Sequence, residues 1–440
     1  MNVKKFFALA KEKGIEESQI QISRSSSFSV SLFHKEIDRY KVSSSQSVTA
    51  CGIYKGKFGS ASTEKLDASA FEYLVNQIIL TATFSEVEDN PGIFPGSEKY
   101  KKHNVFNPGL ASIPAEKKIA VLHEVEDAVL AYDPRIVEAD NVTYAERESE
   151  SGFYNSFGLK LHQKTNYFYF VAGAVAKDGE ETKTFYDVFI DNDFSKFDPK
   201  AFVASICKKT LSKFGGAPCA SKKYPTILSQ DIAASLVNYF LHSAVADEVQ
   251  RHSSLFEGKL GQRVASSKVT IAEKPLVRNL NFYYFDDEGV AAQNKVIVKN
   301  GILQGYFYNR ETAKKDGVQS TGNGVWGGSK ISTGFSNVFV KPGKKSFEEM
   351  IAPIQEGVYI TEIAGLGTGM NSVSGDFSCQ AEGYMIRDGK IAEPLNLITL
   401  SGNLLAMFKD VKELDAEAKL TDMGITVSNI YVKRLSIGGK

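Results

Sequence analysis

Cysteine is scarce in this sequence, and paired cysteines are absent. The 440 residues hold four cysteines, and no two of them form a C-x-x-C pair. A disulfide scaffold or a paired-cysteine zinc site needs cysteines at characteristic spacings, so neither framework is expected here. The scattered positions are Cys51, Cys207, Cys219 and Cys379.

The sequence also lacks a net charge. Its 52 Lys and Arg residues balance its 52 Asp and Glu residues. Because affinity for phosphate normally shows as a strong basic excess, this balance argues against a protein that binds nucleic acid.

Long hydrophobic runs are missing as well. The longest nearly unbroken apolar run, 167–176, is far shorter than the roughly 20 residues that a membrane helix needs. Residues 1–17 contain lysines but no long apolar core and no small-residue cleavage site, so no secretion signal is apparent. We therefore expect a cytoplasmic protein that does not contact a membrane.

What is present is the composition of a globular protein, with 42% hydrophobic and 24% charged residues over a length that supports two or three domains. In the first half, amphipathic helices alternate with strands. The predicted helices lie near 2–13, 68–83, 115–131 and 199–214. The second half is predicted to be mostly strand after one long helix, 231–251. This arrangement predicts an α+β fold.

Residues 215–224 contain glycines, a proline and two lysines, which interrupt the hydrophobic periodicity of the flanking segments. We therefore predict an N-terminal α+β domain over residues 1–218 and a β-rich C-terminal domain over residues 222–440. Within the first, residues 85–115 hold four prolines and three Pro-Gly pairs. A connection of that length without secondary structure is uncommon and often serves a function.

The usual catalytic motifs are absent, since no G-x-S-x-G or H-E-x-x-H occurs. His242 lies at the edge of the apolar stripe of the predicted helix 231–251, which favours a packed interior histidine. Glu248 and His252, four residues apart, could share a metal, although a solvated pair is the commoner arrangement. Cys379 has no histidine near it in sequence, which favours a buried structural thiol over a nucleophile.

Two further segments are candidates for binding. The run Asp286-Asp287-Glu288-Gly289 could bind a cation or a substrate amine, or it could be a charged turn at the end of a strand. The stretch 320–328 is the densest in glycine, but it fits neither common phosphate-binding motif. Its glycines would equally allow the close approach of a ligand or of a neighbouring chain.

Several linked stretches together resemble the TldD/PmbA family, whose members were once described as modulators of DNA gyrase and are now grouped with metalloproteases. The order and spacing of these stretches carry the resemblance over the whole chain. They are Cys51–Thr63, Asn155–Gly158, Phe285–Val290, Asn300–Tyr306, Ser320–Gly324, Val373–Phe377 and Glu382–Ile391.

In the TldD branch, the resemblance implies a helix with His-Glu-x-x-x-His that binds zinc together with a later cysteine, while the glutamate acts as base. Here His242 remains, but Ser243 stands at the base position and Asp247 at the second ligand position. Residues 409–440 contain no cysteine, and Cys379 does not match the third ligand. His242 and Asp247 would also lie about 140° apart on one helix.

The chain therefore resembles the PmbA/TldE branch, whose members pair with a TldD-like protease and lack its zinc site. The resemblance implies that the partner carries zinc and cuts unfolded peptides, and that no cofactor is bound by this chain. In isolation the chain is expected to form a homodimer. We expect His242 and Asp287 to face a common cleft at the subunit interface. The residues expected to contact substrate are Asp287, Glu288, Gly289, Thr321, Gly322 and Asn323.

Two other functions remain open from the sequence. The chain could be an autonomous metallopeptidase with a site rebuilt from His242, Asp247, Asp287 or Glu288. It could instead be a binding protein without peptidase activity, such as a regulator of gyrase. Stoichiometric zinc would favour the first of these alternatives, and salt-dependent binding to DNA or gyrase would favour the second.

Overall fold

The computed structural model describes residues 3–85, 91–327 and 330–440. Residues 86–90 of the predicted connection and Gly328 of the glycine-dense stretch lie outside the described residues. In chain order the first elements are α1 (Val3–Glu12), β1 (Ile15–Phe33), β2 (Glu36–Tyr54), β3 (Lys57–Thr63), α2 (Ala68–Thr83), α3 (Pro108–Ala111), α4 (Ala115–Leu130), β4 (Ile136–Asn155), β5 (Lys160–Asp178), β6 (Glu181–Asp191) and α5 (Pro199–Leu211), with a short 3-10 helix at Phe194–Lys196.

The elements of the second half are shorter. They are β7 (Lys222–Leu228), α6 (Gln230–His242), α7 (Ala246–Gln250), β8 (Ile271–Glu273), β9 (Lys295–Lys299), β10 (Ile302–Leu303), α8 (Arg310–Lys315), β11 (Gly324–Gly327), β12 (Lys330–Thr333), β13 (Val338–Val340), α9 (Phe347–Ile351), β14 (Glu356–Ala364), α10 (Leu366–Gly369), β15 (Asp376–Arg387), β16 (Lys390–Asn403), α11 (Leu404–Lys409), β17 (Val411–Leu414), β18 (Lys419–Leu420), β19 (Ile425–Val427) and β20 (Ile430–Gly438).

The chain divides into two compact units. The first comprises residues 1–211 with the later segments 278–292 and 309–332, and the second comprises the remainder. The first break lies close to the boundary that the sequence predicts. The two later segments differ from that prediction, which assigned them to the C-terminal domain. Contacts between residues distant in sequence decide this assignment, and a composition shift along the chain does not report such contacts.

The first unit is built on a six-stranded antiparallel sheet in the order β3-β2-β1-β4-β5-β6. Four of its strands are 19 or 20 residues long. Near one end, α1 and α2 pack on the sheet through Phe6, Leu74 and Ile78, which are fully buried. Asp67 caps the N-terminus of α2, because its carboxylate accepts hydrogen bonds from the N–H groups of the first turn.

The second unit contains two six-stranded sheets. One has the order β16-β15-β14-β7-β20-β17, and an additional pairing of β16 with β20 closes its first five strands on themselves. The other has the order β10-β9-β8-β13-β19-β18. α6 buries Leu236, Val237, Phe240 and Leu241 in the hydrophobic core of this unit.

Helices and sheets in this mixture confirm the predicted α+β class. Among the described residues, the structure contains no helix that is both long enough and apolar enough to cross a membrane.

Candidate functional site

The helix predicted over 231–251 is broken in the structure. α6 ends at His242, and α7 begins only at Ala246. Between them, the Phe307 N–H donates to the Ala244 carbonyl (2.8 Å), and the Ala246 N–H donates to the Phe307 carbonyl (3.0 Å). These bonds to a distant segment replace those of a continuous helix, so the prediction of one long helix is wrong.

The three residues of the degenerate zinc motif have separate surroundings. His242 is exposed, so the interpretation of a packed interior histidine is wrong. Ser243 is buried, and its carbonyl accepts a hydrogen bond from Ser254 Oγ (2.5 Å). Asp247 is half-buried, and its Oδ2 accepts a hydrogen bond from the Thr333 N–H (3.1 Å). Because the helix breaks between His242 and Asp247, the expected angle of about 140° on one helix does not apply.

A zinc ion does not fit this set of side chains. Zinc sites in proteins take three or four ligands from Cys, His, Asp and Glu. Over residues 3–85, 91–327 and 330–440, no three such side chains lie close enough together to hold a metal ion. At the base position, a serine hydroxyl without an activator cannot accept a proton near neutral pH. The motif as folded offers an exposed imidazole and a carboxylate that is already hydrogen-bonded.

Glu248 and His252 do not form the pair that their spacing suggested. Glu248 accepts a hydrogen bond from Ser253 Oγ (2.6 Å) and forms an ion pair with Arg251. His252 Nδ1 lies 2.5 Å from a carboxylate oxygen of Glu257. Each side chain therefore has its own partner.

Cys379 is the buried thiol that the sequence favours. Its side chain is 5% exposed, and Sγ lies 3.7 Å from the Leu400 carbonyl oxygen. Burial raises the pKa of this thiol to about 11. Since the thiolate is the nucleophilic form, a thiol that is protonated at neutral pH is unreactive.

The acidic turn 286–289 belongs to the first unit, and most of its carboxylate surface is buried. Asp286 and Glu288 are each 6% exposed, and Asp287 is half-buried. Asp286 Oδ1 accepts hydrogen bonds from the N–H groups of Glu288 (3.0 Å) and Val290 (2.9 Å). The Asp286 carboxylate therefore stabilises the turn to which Asp286 itself belongs.

The glycine-dense stretch packs directly on this turn. The Gly324 N–H donates to Asp286 Oδ2 (2.8 Å), and the Asp287 N–H donates to the Gly324 carbonyl (3.0 Å). The Trp326 N–H donates to Asp287 Oδ2 (2.9 Å). A Cβ added at Gly324 would lie 2.6 Å from Glu288 Oε2. The structure thus brings together the two segments that sequence reasoning placed side by side.

The other predicted substrate contacts also have partners inside the unit. Thr321 Oγ1 and Asn323 Oδ1 are 2.7 Å apart, and Asn323 is 2% exposed. Gly322 has a φ of 72°, and a Cβ there would lie 2.9 Å from the Ala291 carbonyl oxygen. These residues build the turn whether or not they meet a peptide, and substrate binding by 287–289 and 321–323 stays a prediction.

Arg310 is the residue of this site that sequence reasoning missed. Its Nη1 and Nη2 donate to the carbonyls of Gly92 (2.6 Å) and Pro91 (2.7 Å). Its backbone N–H donates to Glu288 Oε2 (2.8 Å). Its guanidinium also lies over the Phe94 ring at 5.3 Å. Arg310 therefore ties the acidic turn to the Pro/Gly connection, but in sequence it is one charged residue among several in a short helix.

Burial raises the pKa of all three carboxyl groups in the turn. Desolvation raises the pKa of Glu288 to about 7. The pKa of Asp286 lies well above its usual range because of desolvation and then the charge of Glu288. Desolvation also raises the pKa of Asp287, against the opposing effect of the Trp326 N–H. At neutral pH a substantial fraction of Glu288 therefore carries a proton in the folded chain.

This raised pKa predicts a pH-dependent stability. A carboxyl group whose pKa is higher in the folded state stabilises the fold fully below its unfolded pKa, and the contribution is lost as the pH rises through about 7. Glu288→Gln removes that dependence. We expect the free energy of unfolding of the variant, relative to wild type, to rise by about 1–3 kcal/mol between pH 5 and pH 8.

Denaturant titrations of both proteins at pH 5 and pH 8 measure this shift. The matched control is Glu64→Gln, because Glu64 is an exposed glutamate of the same unit. If the free energies of unfolding of Glu288→Gln and wild type differ by the same amount at both pH values, the raised pKa at Glu288 is contradicted.

The structure does not bring every candidate into one described site. His242 belongs to the second unit and Asp287 to the first. Their common cleft therefore stays a prediction.

Two family models match the chain. One is described as the PmbA/TldA metallopeptidase central domain and matches residues 108–214, and the other, the PmbA/TldA metallopeptidase C-terminal domain, matches residues 221–439. Residues 215–220 lie between the two matched ranges.

Similar proteins agree with these models. A protein of Haemophilus influenzae named metalloprotease PmbA homolog is 25% identical over 96% of this chain and 92% of its own length. A metalloprotease of Methanothermobacter thermautotrophicus is 30% identical over 70% of this chain and 69% of its own.

Solved structures share the fold. A Thermotoga maritima protein, described as a proposed modulator of a DNA gyrase, has a TM-score of 0.91 and 27% identity, with 99% of each chain covered. TldE from Thermococcus kodakarensis has a TM-score of 0.90 and 21% identity, covering 99% of this chain and 100% of its own. With matching models over both halves and these relatives, the chain belongs to the PmbA/TldD metallopeptidase family.

Proposed function

We propose that this chain is a TldE/PmbA-like, non-catalytic subunit of a zinc-dependent peptidase complex in the cytoplasm. Its partner would be a TldD-like protease that carries the zinc and cuts unfolded peptides. The observation that carries the proposal is the folded state of the degenerate motif. His242 and Asp247 lie on either side of a helix break, and a buried serine stands where the base is expected.

The chemistry of metal-assisted hydrolysis supports this division of roles. The reaction needs a metal-bound water and a base that accepts its proton. Ser243 supplies no such base, and the Asp247 carboxylate already accepts a backbone hydrogen bond. A family member without these groups can still contribute surface to a complex in which another subunit cuts.

A role in gyrase regulation is the second candidate, and one observation favours it. The Thermotoga maritima protein of the same fold is described as a proposed modulator of a DNA gyrase. The zero formal net charge of the present chain argues against direct DNA binding, since phosphate contacts need a basic surface. A complex that cleaves peptides which in turn affect gyrase would be consistent with both observations.

The test of the proposed function is the metal content of the purified chain. We expect well under one zinc per chain, and we expect His242→Ala to leave that content unchanged. The chain alone should not cleave an unfolded peptide, whereas its complex with a TldD-like protease should. Stoichiometric zinc that is lost in His242→Ala would contradict the proposal and favour an autonomous metallopeptidase.

A further inference from the structure

β2 has a long open edge. β3 pairs with β2 only over Val48–Tyr54. Within the described part of the chain, no strand pairs with this side of β2 over Glu36–Ser47. Every residue of that segment is exposed except Ser43, which is half-buried. An unpaired strand edge is a template on which another strand can form hydrogen bonds.

The register shows which backbone groups face outward. Tyr54 and Lys57 flank a two-residue turn whose φ values, 50° and 75°, are those of a type I′ hairpin. Flanking residues in such a hairpin form a hydrogen-bonded pair, so alternate residues counted back from Tyr54 direct their N–H and C=O groups toward the β3 side. β2 has no extra residue between Arg39 and Tyr54. Beyond the end of β3, the groups of Val42 and Ser44 therefore point into solvent.

Large apolar side chains accompany these free backbone groups. Tyr40 is 55% exposed and Val42 is 70% exposed. Their cross-strand partners on β1 are Val30 and Phe28, and the Tyr40 and Phe28 rings lie 5.2 Å apart. An additional strand on this edge would extend that apolar face and remove Tyr40 and Val42 from water.

We propose that this edge pairs with the same edge of a second copy of the chain, antiparallel and about a two-fold axis at Val42. In an antiparallel pair related by a two-fold axis, the axis passes through one residue position, and that residue pairs with the same residue of the second copy. An axis between two residues is excluded, because it would pair side chains that point to opposite faces of the sheet. An axis at Lys41 would place two lysines directly opposite each other, which is unfavourable. An axis at Val42 places two apolar side chains there instead.

The sequence on either side of Val42 favours a second copy over an unrelated strand. The bulky and charged residues Arg39-Tyr40-Lys41 precede it, and the small residues Ser43-Ser44-Ser45 follow it. In the antiparallel register each member of the first group lies opposite a serine of the second. No two like charges are opposed, so the edge is complementary to itself in charge and in size.

This inference deepens the proposed function, because it specifies the surface of the homodimer expected for the isolated chain. A cysteine cross-link tests it. Val42→Cys, in a Cys219→Ser background because Cys219 is a partly exposed native thiol, is expected to form a covalent dimer under mild oxidation. The matched control is Tyr186→Cys, since Tyr186 is 64% exposed on β6 at the opposite edge of the sheet. We expect Val42→Cys to cross-link at least about tenfold faster.

A proline substitution gives an independent measurement. The Ser44 N–H points outward, so Ser44→Pro removes a donor to the second copy without removing a hydrogen bond within the chain. By symmetry two intersubunit bonds are lost, and we expect the dimer dissociation constant from light scattering to rise at least about tenfold. A cooperative thermal unfolding transition verifies that Ser44→Pro is folded.

Three outcomes would overturn the inference. They are equal cross-linking of Val42→Cys and Tyr186→Cys, a wild-type chain that is monomeric at micromolar concentration, and cross-linking of Val42→Cys only to an added TldD-like protease. None of these results would alter the zinc content of the chain. Failure of the dimer surface is therefore distinguishable from failure of the non-catalytic role.

Discussion

Replacing Arg310 with methionine is expected to lower the free energy of unfolding of the first unit by about 2–4 kcal/mol at pH 8. Methionine is similar in length but has neither the charge nor the donors. The carbonyls of Pro91 and Gly92 would each lose a hydrogen bond, and Glu288 would lose the positive charge that favours its ionised form. An unpaired charge left in a desolvated site is the main source of the loss.

The pH dependence of this loss identifies its cause. At pH 5.5 most of Glu288 is protonated in the folded wild type, because its pKa is about 7. Removing the cation should then cost less than at pH 8. Denaturant titrations of wild type and Arg310→Met at the two pH values measure the difference, and an equal loss at both would show that lost packing, not charge, dominates.

The matched control lies on the same helix. Lys315 forms an exposed ion pair with Glu311, and Lys315→Met should change the free energy of unfolding by less than about 0.5 kcal/mol. Arg310→Lys keeps the charge but cannot donate to both carbonyls in the fork geometry of a guanidinium. It should therefore fall between wild type and Arg310→Met.

Elements determined by local sequence were predictable. α2 has the bounds that its apolar spacing predicts, 68–83. The turn at Asn300-Gly301 joins β9 and β10, because Asn and Gly adopt the positive φ values that such a turn requires. In both cases the information lies within a few residues of the element.

Features that depend on distant contacts were not predictable. The apolar stripe of 231–251 continues past His242, yet hydrogen bonds to Phe307, which lies far along the chain, interrupt the helix. The position of Arg310 beside Pro91 and Gly92 joins segments more than two hundred residues apart, as the sequence separations of 218 and 219 show. Neither contact leaves a periodicity or spacing signal in the sequence.

The zinc motif illustrates the same limit at the candidate site. The substitutions Ser243 and Asp247 could be recognised from the sequence because they occupy known positions of a family motif. The exposure of His242 could not, because periodicity placed it on a helix that in fact ends there. Family motifs thus identified the residues, and the structure changed the interpretation of their geometry.

Replacing Gly289 with alanine is expected to lower the free energy of unfolding of the first unit by about 2–5 kcal/mol, the sum of two costs. Gly289 has a φ of 82°, a conformation that strains a residue with a Cβ. A Cβ there would also lie 2.7 Å from two ring atoms of Phe153, which is fully buried in β4. Because the ring is fully buried, the extra methyl group is expected to overpack this part of the unit, which adds to the strain.

Gly179→Ala separates the two costs. Gly179 has a φ of 58°, but a Cβ there would meet no atom within 4 Å. It should therefore show only the backbone cost, about 1–2 kcal/mol. Denaturant titrations of the two variants and wild type measure the difference. If Gly289→Ala loses no more than Gly179→Ala, Phe153 moves aside at little cost. Gly289 would then be better explained by the approach of a peptide than by the packing of the acidic turn against β4.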